Sequence, residues 1–198
     1  MRRTIYIVRH GLRMDSKNPE WRLNADYPQD PALSARGFQQ AYDLAQHLKD
    51  SGIRHIYSSP YLRARQTAQP LADMIDVPVQ IEDGLREWLN PEWTKEPPRL
   101  CEYLNLEHSL VRPSFPETDE QAWLRSGKTA LLIAARHDCP LLMVTHGHTM
   151  CGAVFGLLNR RDIEVKCDYC SLTEIHLELS GATMIRNGDR SFLKEHKV

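Results

Sequence analysis

Short apolar runs alternating with amphipathic segments predict an α/β fold, a three-layer α-β-α sandwich around a mostly parallel central sheet. The runs Thr4–Arg9 and Pro140–Thr145 are nearly continuous in apolar residues, as strands buried on both faces are. The stretches between strands carry helical spacing instead of tight hairpin turns. A chain of 198 residues, 41% of them hydrophobic, is long enough to bury the core that two helical layers need. It reads as one domain over 1–198, interrupted by an irregular insertion at about 88–117.

Taken in order, Thr4–Arg9 is the first strand, followed by a polar, proline-containing stretch over 11–33. A loop of that length in a compact fold tends to be functional. Ser34 then suits an N-cap for a helix to about Ser51, with Phe38, Ala41, Leu44, Ala45 and Leu48 inward and Gly52 as its stop. Ile53–Tyr57 is a second strand. Ser59 and Pro60 suit the N-cap and first position of a helix that turns Leu62, Ala68, Leu71 and Ile75 inward. Val77–Ile81 is a third strand. After the insertion, Thr118 and Gln121 form a capping-box pattern for a helix ending near His137. Pro140–Thr145 is a buried strand and His148–Leu158 a helix. Thr173–Leu179 and Ala182–Arg186 form a hairpin around Ser180-Gly181.

Lysine and arginine (25) nearly cancel aspartate and glutamate (26), which gives no reason to expect nucleic acid or a membrane surface as partner. No signal for an oligomeric state stands out. The opening apolar run is too short for a signal-peptide core, and no run approaches the roughly 18 apolar residues of a membrane span. Cysteines 101, 139, 151, 167 and 170 form no dense framework, which fits reduced thiols and a cytoplasmic location. Cys167 and Cys170 lack the strand-then-helix context of a redox motif and read as unrelated thiols.

Ligands in open α/β sheets bind beyond the carboxyl ends of the strands. Arg9 and His10 close the first strand, Arg63 opens the helix after the second, Glu87 follows the third, and His146 ends the Leu141–Thr145 strand. Such a set suits phosphoryl transfer without a metal or cofactor. Planar guanidinium groups bind phosphate oxygens in pairs. A neutral imidazole attacks phosphorus through a ring nitrogen that keeps its lone pair. Nearby cations disfavour the imidazolium form. The leaving group needs a proton, and Glu87 is the acid placed to supply it.

Val8-Arg9-His10-Gly11, Ser59-Pro60-Tyr61-Leu62-Arg63-Ala64-Arg65-Gln66-Thr67-Ala68, Leu85-Arg86-Glu87 and Val144-Thr145-His146-Gly147 resemble, in order, the four signatures of the histidine phosphatase (phosphoglycerate mutase-like) superfamily. The resemblance implies a phosphoglycerate mutase-like fold and a covalent phosphohistidine on His10. It implies a phosphate pocket of Arg9, Arg63 and His146, with Glu87 as proton donor and then as activator of water. Leu12-Arg13-Met14-Asp15 replaces the Ser-x-Trp-Asn stretch of the mutases. Arg-His-Gly-x-Arg-x-Asp and Glu87-Trp88 look more like the suppressors of T-cell receptor signalling and the ecdysteroid-phosphate phosphatases, although Leu12 stands where that branch often has an acid. Arg13 would then be a further phosphate-binding residue, or would simply bridge to Asp15.

The expected activity is therefore hydrolysis of a phosphomonoester, with a small phosphorylated substrate or a phosphoprotein as the expected partner. The alternatives are phosphoryl return to substrate, as in a mutase, and a phosphate-binding scaffold with little turnover. His146-x-His148 has a metal-ligand spacing, which would suit a metallohydrolase, but no ligand cluster accompanies it. Trp21, Trp88 and Trp93 lie in the two irregular segments, where they either stack on a leaving group or form a small local core. Arg65 reads as a surface arginine paired with an acid.

Overall fold

The computed structural model describes residues 2–16, 18–88, 90, 92, 98–100 and 104–194. Trp93, Cys101 and His196 lie outside the described residues. The strands are β1 (Arg3–Arg9), β2 (His55–Ser58), β3 (Val79–Ile81), β4 (Leu141–Thr145), β5 (Leu172–Glu178) and β6 (Gly181–Asp189). They form one sheet in the order β3-β2-β4-β1-β5-β6. The first three pairings along that order are parallel, and β5 and β6 add two antiparallel pairings. The helices are α1 (Ala35–Leu48), α2 (Leu62–Ile75), α3 (Asp119–Ala135) and α4 (Gly147–Leu158).

The period-two pleat sorts the strand residues between two cores. Ile5, Ile7, Leu141 and Met143 pack with Ile133, Met150 and Val154 of α3 and α4. Val8, Ile56, Leu142 and Val144 pack with Leu44, Leu48 and Leu71 of α1 and α2. The sheet is thus covered on both faces, as the α/β sandwich requires. Truncating one of these fully buried side chains to alanine would cost about 2–5 kcal/mol.

Register decides where the strands end. Arg9 pairs with Thr145, Ser58 with Val144, and Ser58 with Ile81. The carboxyl ends of all four parallel strands therefore reach one edge together.

Two helix starts depart from expectation. Ser34 does cap α1, accepting from the Gly37 N–H. Yet Phe38 is 45% exposed, not inward. The buried stripe of α1 runs through Gly37, Ala41, Leu44 and Leu48, which leaves Phe38 on its margin. Gly37 sits there because the helix start presses on the loop after β1. A side-chain carbon on Gly11 would meet the Gly37 carbonyl oxygen at 2.8 Å.

At α2 the N-cap position is Tyr61, not Ser59, and its side chain makes no capping bond. The Leu62 N–H instead donates to Asp30 Oδ1 at 2.8 Å, so the long loop supplies the cap. Thr118 and Gln121 form the expected capping box on α3. Gly52, at φ +74°, takes the left-handed conformation that glycine favours just past α1.

Candidate functional site

His10 follows β1 and is 1% exposed. Its Nδ1 lies 2.8 Å from the Gly11 carbonyl oxygen, which can only accept. Nδ1 therefore carries the proton. Nε2 keeps its lone pair and accepts from Arg63 Nε at 3.3 Å. Burial first, then the Arg63 guanidinium, then Arg9 and Arg13 hold His10 well below the usual histidine range, against the Gly11 hydrogen bond. The ring is neutral near neutral pH.

His146 follows β4 and is fully buried, its ring centroid 5.1 Å from that of His10. Its Nε2 lies 2.7 Å from Ser59 Oγ. Ser59 Oγ also accepts from the Tyr61 N–H at 3.4 Å, and with its own proton given to Nε2 the ring proton of His146 sits on Nδ1. The remaining nitrogen, Nδ1, has no hydrogen-bond partner and lies 3.5 Å from Glu87 Oε2. Burial, then Arg63, then His10 hold this ring well below the histidine range too. A buried N–H without a partner is costly, and a bound acceptor would satisfy it.

Arg63, in the first turn of α2, is 2% exposed. Its guanidinium lies over the Tyr61 ring at 4.4 Å, with Nη2 4.0 Å from Glu87 Oε2 and Nη1 3.9 Å from Asp30 Oδ1. Arg9 donates from Nη1 to the Cys167 carbonyl at 2.7 Å and stacks on Tyr169 at 4.1 Å. An open cavity of about 640 Å³ adjoins this group, and of its members Arg9 and Glu87 line it, with Arg13, Arg22 and Trp88. The structure thus brings together Arg9, His10, Arg63, Glu87 and His146, from four strand ends, with Arg13 at the rim.

Several other expectations resolve differently. Arg13 Nε pairs with Asp15 Oδ1 at 3.0 Å, yet the residue also lines the cavity. His148 stacks between Trp88 and Trp123, at 4.5 and 5.1 Å, and does not join His146 in a ligand pair. Trp88 reaches the cavity, whereas Trp21, in a short 3-10 turn over Pro19–Leu23, is not among its lining residues. Arg65 is half-buried, and among its contacts Nε donates to the Pro60 carbonyl at 3.2 Å. The ligand atoms of His10, Glu87 and His146 lie within 4.8 Å of one another, a separation that a metal ion could bridge. Three arginines around one carboxylate favour an anion over a cation at that point.

Residues that escaped the sequence reading hold these groups in place. Thr67 Oγ1 accepts from the Gly11 N–H at 3.0 Å, and Gln40 Oε1 accepts from the Leu12 N–H at 2.8 Å. The Leu85-Arg86-Glu87 strip is pinned from three sides. Thr145 Oγ1 donates to the Leu85 carbonyl and Thr149 Oγ1 to the Arg86 carbonyl, both at 2.8 Å. Arg125 donates to the Gly84 carbonyl at 2.7 Å while paired with buried Glu117 through both carboxylate oxygens. Glu117, just before the capping box, and Arg125, eight residues on, would read from sequence only as a charge pair near a helix start.

With this geometry the comparisons agree. Residues 5–190 match the model of the histidine phosphatase superfamily (branch 1), and the chain belongs to that superfamily. It is 26% identical over 211 residues to a probable phosphoglycerate mutase GpmB of Erwinia tasmaniensis, covering 96% of this chain and 95% of that one. It is 27% identical to a putative phosphoserine phosphatase 2 of Hydrogenobacter thermophilus, covering 91% and 93%. Similarity to the transcription factor tau 55 kDa subunit of Saccharomyces cerevisiae is 32% over 61% of this chain and spans only 27% of that protein.

Among solved structures, a phosphoserine phosphatase of Entamoeba histolytica in complex with phosphoserine superposes with TM-score 0.69 at 22% identity, covering 96% of this chain and 99% of that one. A phosphoglycerate mutase of Bacillus anthracis gives 0.69 at 21% identity, covering 97% and 95%. These likenesses establish the phosphoglycerate mutase-like α/β fold.

Proposed function

We propose that this protein hydrolyses phosphomonoesters through a covalent phosphohistidine on His10. One observation carries the reading. The Nδ1 proton of His10 is committed to the Gly11 carbonyl at 2.8 Å, so Nε2 is the unprotonated nitrogen, and its lone pair exchanges the 3.3 Å hydrogen bond from Arg63 Nε for phosphorus. In the first step Nε2 bonds to phosphorus and the bond to the ester oxygen breaks. That oxygen leaves with a proton from Glu87. In the second, Glu87 takes a proton from water, whose oxygen attacks phosphorus and releases His10 and inorganic phosphate.

Arg9, Arg63 and His146 Nδ1–H stabilise the charge on the transferring group, with Arg13 closing the pocket at its rim. His146, Arg9 and Arg63 are thus substrate-binding and catalytic at once. No step calls on a metal or cofactor. Relatives named as a phosphatase and as a mutase support an enzyme acting on a small phosphorylated substrate. Within the superfamily, Arg13, Asp15 and Trp88 support the suppressor of T-cell receptor signalling and ecdysteroid-phosphate phosphatase branch. The four described cysteines are free thiols, in keeping with the cytosol, and no helix of the described residues is long and apolar enough to cross a membrane.

The test is turnover of an aryl phosphate with EDTA present, for the wild type and His10→Ala. The expected result is EDTA-insensitive activity that the substitution abolishes, with an acid-labile, base-stable phosphoprotein trapped on rapid quenching. Near-wild-type turnover by His10→Ala refutes the reading. The similarity to a probable phosphoglycerate mutase favours phosphoryl return to substrate as the second reading. Isomerisation of 3-phosphoglycerate in preference to its hydrolysis would select that one.

A further inference from the structure

Arg63 has a defined partner on each side of its guanidinium. Nε donates to His10 Nε2 at 3.3 Å, and Nη2 lies 4.0 Å from Glu87 Oε2. Nη1 donates to the Gln29 carbonyl at 3.3 Å and stands 3.9 Å from Asp30 Oδ1. Two of these sides change during the proposed reaction. The His10 lone pair goes to phosphorus, which takes the acceptor from Nε. Glu87 must be protonated to act as the acid, which takes the negative charge from beside Nη2. The Nη1 side keeps its partners throughout.

Those partners belong to the long loop after β1. Asp30 is buried, and its N–H donates to the Tyr27 carbonyl at 3.0 Å, closing a turn over 27–30. Further along, the Leu33 N–H donates to Gln66 Oε1 at 2.8 Å, so the loop is fastened to α2 at a second point. Asp30 Oδ1 accepts from the Leu62 N–H at 2.8 Å, and Arg63 is the next residue. One carboxylate oxygen thus holds the backbone at the start of α2 and faces the head of the side chain carried there. The helix start favours a negative charge at that place. A guanidinium and a carboxylate buried together offset part of each other's lost hydration.

We propose that Asp30 is a positioning residue for phosphoryl transfer, anchoring the Nη1 edge of Arg63 so that Nε and Nη2 turn to the phosphate oxygens about a fixed point. This role rests on the proposed function. Paired donors match two phosphate oxygens only while the guanidinium plane is held. An arginine free to tilt still attracts phosphate by its charge but fits the transition state less well. The Asp30 charge also opposes an incoming anion, because charges a few ångströms apart in a buried site are weakly screened. Removing that charge should weaken catalysis and leave phosphate binding intact or tighter. A merely loosened loop does not produce that split.

Asp30→Asn keeps an oxygen for the Leu62 N–H and loses the charge. The experiment measures kcat on an aryl phosphate, the orthophosphate inhibition constant and the urea midpoint for the wild type, Asp30→Asn and Gln66→Ala. Gln66→Ala releases Leu33 and loosens the same loop without reaching Arg63. In Asp30→Asn, kcat should fall about 10- to 100-fold, as for a small misplacement of a group at the reacting centre, with orthophosphate bound as well or better. Gln66→Ala should lower the urea midpoint and leave kcat near the wild-type value. Arg63→Lys removes the Nη1 edge, and in that background Asp30→Asn should cost much less.

An unchanged kcat in Asp30→Asn overturns the proposal, as does weaker orthophosphate binding or an equal loss in both Arg63 backgrounds. A kcat loss as large in Gln66→Ala overturns it too. If the wild type turns over no phosphate ester, the phosphohistidine reading fails and takes the transfer role with it. The hold of Asp30 on Arg63 is then decided by calorimetry with orthophosphate, where tighter binding by Asp30→Asn supports it and equal or weaker binding refutes it.

Discussion

Ser59 Oγ stands 2.7 Å from His146 Nε2, and its remaining hydrogen bond comes from the Tyr61 N–H. With Ser59 as the donor, Nδ1 of His146 carries the ring proton and lies 3.5 Å from Glu87 Oε2. Ser59→Ala removes the donor, and the imidazole is free to take its other tautomer. With a buried hydrogen bond worth about 1–3 kcal/mol when one partner is left bare, kcat/KM should fall about 10- to 100-fold. Steady-state kinetics on an aryl phosphate would read it. An unchanged inhibition constant for orthophosphate would show that His146 does not depend on Ser59.

Asp15 grips two arginines, Arg22 at 2.8 Å and Arg13 at 3.0 Å. Removing Arg13 therefore leaves Asp15 still paired, and the fold should be little affected. If Arg13 reaches from the rim to bound phosphate, Arg13→Ala should raise KM about tenfold, the worth of one partly solvated charge-assisted contact, and lower kcat less. Asp15→Asn should give a smaller change, because the guanidinium remains. A loss confined to the urea midpoint would make Arg13 a structural residue.

Strand ends could be read from sequence because buried strands are continuous apolar runs, and Arg9, His10, Glu87 and His146 stand beside them. Helical spacing places Phe38 inward because it cannot reveal that Gly37, not a larger neighbour, sits where α1 meets the Gly11 loop. Ser59 had the composition of an N-cap. Only the distant Asp30, which takes that task at Leu62, frees it for His146. Arg125 and Tyr169 act across separations that no local pattern encodes, one on the Gly84 carbonyl and the other on Arg9.

Acid should weaken the fold through its two buried imidazoles. Burial and neighbouring arginines hold His10 and His146 well below the ordinary value, whereas in the unfolded chain each takes up a proton near about pH 6.5. Their stabilising contribution is fully present above about pH 6.5. Below it the unfolded state binds more protons, and stability falls by about 1.4 kcal/mol per pH unit for each ring until the folded-state value is reached. Urea midpoints between pH 7.5 and 5.5 should fall more steeply for the wild type than for His10→Asn. Parallel slopes would mean that His10 is protonated in the fold.

The ion pair behind Glu87 should matter to stability more than its partners' charges suggest. Arg125→Ala leaves Glu117, 4% exposed, as a bare buried carboxylate and deprives the Gly84 carbonyl of its donor. A loss of about 3–5 kcal/mol is expected, read from urea unfolding. Glu117→Gln combined with Arg125→Met removes both charges and should cost less. A double variant as unstable as Arg125→Ala would show that the carbonyl contacts, not the charge, dominate.

Glu87 is held 3.5 Å from His146 Nδ1 and 4.0 Å from Arg63 Nη2, with its other oxygen accepting from the Trp88 N–H. One carboxylate oxygen thus faces the site while the backbone steadies the other. Removing a proton donor should matter in proportion to how badly the leaving group needs the proton. Nitrophenolate departs well as an anion, whereas an alkoxide scarcely departs without protonation. Glu87→Gln keeps the size of the side chain and loses the proton. It should slow an alkyl phosphate by about 100-fold or more, in the 10²–10⁴ range of acid catalysis, and nitrophenyl phosphate by far less. A series of aryl and alkyl phosphates would reveal this as a steeper dependence of kcat/KM on leaving-group pKa in the variant. Parallel dependences would remove Glu87 from the donor role and leave it an electrostatic partner of Arg63 and His146.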